Sequence, residues 1–279
     1  MAAFLALISA GLFGAGDFMG GAAARKTGVF SVIATSHLVG FVLVLGLVPF
    51  MADQFLWTDL GLGAVSGLFG LAGIFLIYHS LSRGPMTVVA PITSVAAAII
   101  PVFWGLGFGE HLSPLHLLGI CLGLVSILLI SRHTPEKQNL APLPPWLITE
   151  SLLAGVSFAG FFIVIDNTSA ATEPWPLMGA RLVTVTFLVV AAFGPKRSFW
   201  PEREVTGLVV GAGVADVVAN VAFLMATNRG LLSLVAVLSS LYPAATVLLA
   251  RWILKETLQR IQVLGLFGAV AASTLIALG

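Results

Sequence analysis

Apolar runs long enough to cross a bilayer follow one another through almost the whole 279-residue chain, with only short polar breaks between them. A helical crossing takes about 20 residues. Ten such runs can be placed, at 2–24, 29–50, 58–80, 85–109, 113–132, 146–167, 174–194, 205–226, 231–254 and 258–278. The breaks fall at helix-ending sequence: Arg25-Lys26-Thr27-Gly28, Arg83-Gly84-Pro85, Ser113-Pro114, Pro142 with Pro144-Pro145, Glu173-Pro174 and Arg229-Gly230. Ser113 before Pro114 reads as an N-cap followed by a first-turn proline. No run shows the alternation of a barrel strand, so the spans are read as helices. The expected fold class is an all-α integral membrane protein. Composition agrees. Charged residues make up 9% of the chain, against about 25% in a soluble domain. So few charges cannot cover a soluble surface, which excludes a cytoplasmic enzyme, a disordered chain and a nucleic-acid binder. The net charge of +1 selects no partner, and the single cysteine, Cys121, allows no intrachain disulfide. The first run lacks a positive flank and is too long for a signal-peptide core, so it reads as a retained span.

Lys and Arg are distributed unevenly between the two faces. Arg25, Lys26, Arg83, Arg132, Lys137, Lys196, Arg197, Arg203, Arg251, Lys255 and Arg260 fall on one side, Arg229 alone on the other, and Arg181 inside span seven. Positive charge stays cytoplasmic, so both termini are expected outside.

The chain also repeats itself. Residues 83–119 align with 229–265 without a gap at an offset of 146, pairing Arg83 with Arg229, Gly84 with Gly230, Ser94 with Ser240 and Glu110 with Glu256. Ala15-Gly16-Asp17-Phe18 matches Ala159-Gly160-Phe161-Phe162 at an offset of 144. The expected organisation is a first five-helix repeat over 1–132, a short Pro-rich linker over 133–145 and a second repeat over 146–279. Five is odd, so the halves are inverted, an arrangement of secondary transporters with a site at the membrane midplane.

These paired segments carry a family resemblance. Leu81-Ser82-Arg83-Gly84-Pro85, Ala90-Pro91 and Gly109-Glu110-His111-Leu112 in the first half, with Thr227-Asn228-Arg229-Gly230, Tyr242-Pro243 and Lys255-Glu256-Thr257-Leu258 in the second, resemble the ten-helix EamA branch of the drug/metabolite transporter superfamily. The family places an arginine early in the second helix of each repeat. Arg181 matches it, whereas His37 stands at that position in the first half. The resemblance implies a carrier of a small polar or amphiphilic metabolite, an amino acid or related compound, often by export. It also implies a cavity lined by spans one to four and their repeat mates. A retained first span and the compact length of 279 residues suit a bacterial inner membrane.

Few charged groups lie within the spans, where each costs about 2.5–3.5 kcal/mol at the bilayer centre on insertion scales. Asp216 and Asn220 share a face of span eight and read as a patch for substrate or a proton, or as a helix-packing hydrogen bond. Asp17 reads as a site for a cationic group or a proton, or as a partner of Arg25 or Lys26. Arg181 reads as a holder of a carboxylate or phosphate, or as the partner of Asp166, Glu173 or Asp216. His37 reads as a proton relay or gate, or as a histidine satisfied by Ser36 or a backbone carbonyl. Tyr78 and His79 read as interfacial anchors.

Thr93-Ser94 and Ser239-Ser240 occupy matching positions in spans four and nine, beside Pro91, Pro101 and Tyr242-Pro243. A matched pair of interrupted helices points to a binding site, which adds Ser94, Ser240 and Tyr242 to the candidates. Trp104 and Phe103 read as an aromatic wall or as packing. The glycine pairs Gly16/Gly20, Gly63/Gly67, Gly105/Gly109, Gly119/Gly123 and Gly207/Gly211 allow close helix packing, and Gly119/Gly123 also reads as a homodimer face. Glu110 and Glu256 read as turn residues. No His-Glu-x-x-His, Gly-x-Ser-x-Gly or Walker A pattern is present. The expected partners are therefore a small-molecule substrate and the lipid bilayer, with no nucleic acid, cofactor or metal. The competing readings are a lipid or lipid-linked carrier, a channel and a membrane assembly protein without a transport cycle.

Overall fold

The computed structural model describes residues 1–131, 144–194, 198–253 and 258–279. Most of the expected linker, together with Lys255 and Glu256, lies outside these residues. Eleven α-helices are formed among them: α1 (Ala2–Ala24), α2 (Val29–Met51), α3 (Trp57–Arg83), α4 (Met86–Gly107), α5 (Pro114–Ile130), α6 (Pro145–Asp166), α7 (Trp175–Ala192), α8 (Thr206–Thr227), α9 (Leu232–Ser239), α10 (Tyr242–Ile253) and α11 (Arg260–Leu278). Helices α9 and α10 are two parts of the ninth expected span. Nine spans reach crossing length among the described residues, and α5 is shorter at 17.

Local sequence explains the ends. Ser113 Oγ accepts from His116 N at 3.1 Å while Ser113 N donates to His116 Nδ1 at 3.3 Å, a capping box with histidine in the usual Glu/Gln place. Beyond α4, Gly109 turns the chain at φ 96°, a left-handed conformation that suits glycine. The Glu110 carboxylate that follows accepts from Ser233 N at 3.2 Å, in the first turn of α9. It thereby satisfies an otherwise orphaned N–H at the positive end of that helix.

The expected pair of interrupted helices is found only once. Helix α4 runs unbroken through both Pro91 and Pro101. The ninth span stops at Ser239 and restarts at Tyr242. Pro243 lies in the first turn of α10, where its missing N–H costs no hydrogen bond within that helix. It has none to offer the Ser239 carbonyl four residues back, so the helix cannot pass through unaltered.

Contacts between helices survive an exchange of the two halves. The pairing of α1 with α8 corresponds to that of α6 with α3, α2 with α8 to α7 with α3, and α4 with α6 to α9 and α10 with α1. The pairs α5·α11 and α2·α7 map onto themselves. Side-chain register follows the same rule. A Cβ on Gly67 would fall 2.6 Å from Ala180 Cα, and one on Gly213 would fall 3.0 Å from Ser36 Cα. These four positions are related by the offsets of 146 and 144 read from the sequence.

Glycine sets the closest approaches. A Cβ on Gly63 would overlap the Pro176 carbonyl, and one on Gly179 would overlap the Leu60 carbonyl, so α3 and α7 cross backbone to backbone. Gly119 and Gly123 face α11 and its neighbours, with Ile276 and Ala272 against the first and Val237 and Ala272 against the second. That pair is occupied within the chain and offers no homodimer face.

Gly63→Ala is expected to lower stability by about 1–3 kcal/mol, the usual cost of overpacking. Gly61→Ala, on the same helix but with open space around it, is expected to leave the midpoint unchanged or raise it slightly. Thermal unfolding of the detergent-purified protein reads both. Equal midpoints for the two variants would show that the crossing does not limit stability.

Candidate functional site

A cavity lies between the two halves, walled by residues of α1, α2, α3 and α4 from the first and α6, α7, α8 and α10 from the second. Its polar groups are Asp17, His37, Thr184, Arg181, Asp216, Asn220 and Tyr242, and its apolar wall is formed chiefly by Phe13, Phe158, Phe161, Phe162, Leu71 and Ile74.

Arg181 of α7 forms an ion pair with Asp216 of α8, through Nη2 and Oδ2. The arginine reaches its partner by passing over α2 at Gly40, where a Cβ would fall 3.1 Å from Nε and 3.2 Å from Cζ. Asn220 Nδ2 donates to the Asp216 backbone carbonyl at 2.7 Å, one turn back on the same helix. His37 Nδ1 lies 3.1 Å from Thr184 Oγ1, which donates to the Arg181 carbonyl at 3.3 Å. Nε2 of His37 makes no hydrogen bond among the described residues. Helix α1 meets α8 at Gly16, which packs against Ala212, Ala215 and the Asp216 backbone. The next residue, Asp17, lines the same cavity as Asp216. Asp17 makes no hydrogen bond or ion pair among the described residues. The charged lining thus comprises one satisfied pair and one carboxylate with no counter-ion.

The structure brings Asp17, His37, Arg181, Asp216, Asn220 and Tyr242 together at this cavity. Of the partners open to Arg181, Asp216 is the one it takes. Glu173 is held instead by Asn228 Nδ2 at 2.7 Å and Arg229 Nη1 at 3.4 Å. Asp17 does not pair with Arg25, whose guanidinium is drawn to the carbonyls of Leu81 and Gly84, both at 3.1 Å. His37 is satisfied by Thr184 of α7 rather than by Ser36, whose hydroxyl turns to the Ile33 carbonyl.

Three candidates lie away from the cavity lining. Ser94 is buried with its hydroxyl on the Ala90 carbonyl of its own helix, at 2.6 Å. Ser240 is buried at the break between α9 and α10. Trp104 is 41% exposed and stacks on Phe108, while Phe103 is 71% exposed, so these rings face outward rather than forming a cavity wall. Tyr78 is no interfacial anchor. It is 2% exposed, folds over Gly20 of α1 and directs its hydroxyl at the Gly16 carbonyl, 3.5 Å away.

Two features escaped the sequence reading. Glu150 of α6 accepts from Ser80 Oγ at 3.1 Å and bonds His79 Nδ1 at 2.8 Å, tying α6 to the end of α3. A lone glutamate in an apolar run was its signal. The aromatic wall was the other, and the alignment of Phe161-Phe162 with Asp17-Phe18 was the hint.

Arg181→Met strands the Asp216 carboxylate, and Asp216→Asn strands the guanidinium. The double variant is expected to lose less stability than the two single losses added together, with a coupling of about 1–3 kcal/mol by thermal unfolding. Strictly additive losses would deny the pair.

No group of three or more His, Cys, Asp or Glu residues able to hold a metal ion occurs among the described residues. A solved crystal structure of another protein superposes with a TM-score of 0.78, over 99% of this chain and 96% of that one, at 18% identity. This likeness establishes the fold. An uncharacterized protein of Methanocaldococcus jannaschii is 28% identical over 133 residues, which make up 47% of this chain and 96% of that relative. The relative is therefore about as long as one half of this chain. The model of the EamA-like transporter family matches twice, over residues 1–132 and 146–278. With apolar helices throughout and a match in each half, this integral membrane protein belongs to the EamA-like transporter family, whose members are transporters and not enzymes.

Proposed function

We propose that the chain is a secondary transporter that moves a small polar or amphiphilic metabolite, an amino acid or related compound, out across the bacterial inner membrane. The observation that carries this reading is the Arg181–Asp216 pair beside an unpartnered Asp17, all three on one cavity that both halves wall. Ionisable groups at membrane depth are costly and are kept where they bind or relay. Arg181 offers a fork of donors to an acidic group, and Asp216 and Asp17 receive a basic one. Asn220 and Tyr242 add polar contacts, while His37 serves as proton relay or gate through its free Nε2.

Transport proceeds by alternating access, with two inverted five-helix repeats rocking about the cavity and both termini outside. The uneven Lys/Arg distribution supports this orientation. Substrate shifts the inward–outward equilibrium only through a difference in affinity for the two states. An ion pair whose partners sit on α7 and α8 supplies such a difference if substrate competes for either member.

The test uses purified protein in liposomes on a solid-supported membrane, presented with amino acids, organic cations and organic anions with and without a pH gradient. The expected result is a saturable current from one class, reduced at least about tenfold in Asp216→Asn while membrane insertion is intact. Unchanged kinetics for that variant at every pH would remove Asp216 from the mechanism. Absence of both current and radiolabel exchange across the panel would refute the carrier reading for these solutes.

A further inference from the structure

At the end of α3 that carries Arg83, one corner joins the two halves through a titratable pair outside the cavity. His79 Nδ1 lies 2.8 Å from Glu150 Oε2, and the buried Ser80 hydroxyl donates to the same oxygen at 3.1 Å. His79 and Ser80 belong to α3 of the first half and Glu150 to α6 of the second. The imidazole stacks on Phe75, with centroids 6.1 Å apart and planes 10° from parallel, and Trp146 of α6 meets it at 64°. Rings from both helices thus fix its position. The side chains of His79 and Glu150 are 23% and 24% exposed, so protons from bulk water reach them.

The other charges at this end are cationic. Arg25 of α1 is held by the carbonyls of Leu81 and Gly84, while Lys26 and Arg83 are exposed. Helix α4 packs against both α3 and α6 and has no ionisable residue. His37 of α2, Arg181 of α7, Asp216 of α8 and Asp17 of α1 all line the cavity. Tyr78, next to His79, turns to Gly20 of α1. Glu150 is therefore the anion that His79 meets among the described residues. The matching corner at the other end lacks such a pair. The offset of 146 places Met225-Ala226 where His79-Ser80 stand, and α1, the mate of α6, has no acid or histidine before Asp17. At that end α3 is tied through Asp59, which accepts from a backbone N–H and a threonine hydroxyl.

We propose that His79, Glu150 and Ser80 form a proton-operated latch that holds the two halves together at this end when the imidazole is charged. A charged imidazole makes a charge-assisted bond to the carboxylate, about twice as strong as a neutral one. The hold is full at acid pH and is lost as pH rises through the range in which histidine gives up its proton. In a frame whose halves exchange, a titratable tie at one end only makes the balance between the two openings depend on proton concentration on that side. On the orientation proposed above that side is the cytoplasm, so cytoplasmic acidification shuts the inner entry to the cavity. The proposal adds regulation to the transport reading and rests on its rocking of the two halves.

The experiment is maleimide labelling of the full-length protein in lipid nanodiscs, with the exposed native thiol removed by Cys121→Ser. Leu147→Cys reports opening, because Leu147 is 1% exposed and packs over Gly84 at the same corner. Thr149→Cys, at an exposed position of the same helix, corrects for the effect of pH on the thiol itself. The ratio of the two rates is expected to rise about fivefold between about pH 5.5 and pH 8. Glu150→Gln and His79→Gln are expected to give the high ratio at both pH values. His79→Lys, which keeps its charge, is expected to give the low ratio at both, a separation that a merely structural contact would not produce. If Leu147→Cys fails to fold, hydrogen exchange of the first turns of α6 without that substitution, corrected for its intrinsic pH dependence, carries the same expectation.

A ratio that does not change with pH, a change of the opposite sign, or a pH response that survives Glu150→Gln overturns the latch. Failure of the transport reading looks different. A pH-dependent ratio with no current or exchange in liposomes would refute the carrier and leave the latch standing. Transport with a pH-independent ratio would do the reverse.

Discussion

Backbone-to-backbone contact at glycine is the constraint on which the rest of this structure depends. Lipid supplies no hydrophobic force to drive one apolar helix onto another, so association rests on close packing and on hydrogen bonds between helices. At Gly63, Gly67 and Gly179 helix α3 lies directly on α7, and at Gly213 helix α8 lies directly on α2. These crossings bring α2 and α7 together, and Gly40 then leaves the surface of α2 bare beneath the Arg181 guanidinium. The arginine can therefore reach Asp216 without a bulky residue in its way. The charge pair at the cavity is a product of residues that have no side chains.

The two ends of the bundle are tied by different chemistry. At one end, His79 and Ser80 of α3 bond Glu150 of α6, and Ser31 and Thr35 of α2 bond the carbonyls of Ser198 and Phe199. At the other, Asp59 of α3 accepts from Ser169 N at 2.9 Å and Thr172 Oγ1 at 2.6 Å, and the ring of Phe55 packs edge-on against Trp175. Every one of these contacts joins the first half to the second. Separating the halves at either end means exchanging a few hydrogen bonds, whereas the backbone crossings between the ends have no such exchange available.

The helices were legible because apolar length and Gly/Pro punctuation are local properties. The repeat was legible because Arg-Gly and Glu recur in one register. The candidate cavity lining was legible in proportion to how rare its residues are within spans: Asp17, Arg181, Asp216 and His37 all reach the cavity. What the sequence left open was which face of a helix a residue occupies. Ser94 turns its hydroxyl onto the Ala90 carbonyl of its own helix, which the Tyr242 hydroxyl of the second half also meets, and Trp104 points outward. Composition carries no information about that. Pro91 and Pro101 misled for a related reason. A proline marks a missing N–H, but whether the helix breaks there depends on what packs around it. Tyr78 looked interfacial near a helix end until Gly20, nearly sixty residues away in sequence, gave it a place to lie.

The break at Ser240–Leu241 makes the fourth and ninth spans unequal. Helix α4 is one rod of 22 residues, while its mate is two shorter ones of 8 and 12 joined by a turn. The second of those segments, α10, rests on α1 at Gly14, one turn from Asp17. A movement that bends the ninth span therefore acts on the wall beside the lone carboxylate, and the fourth span offers no equivalent lever. Symmetric in outline, the molecule carries a jointed helix in one half and an unbroken one in the other.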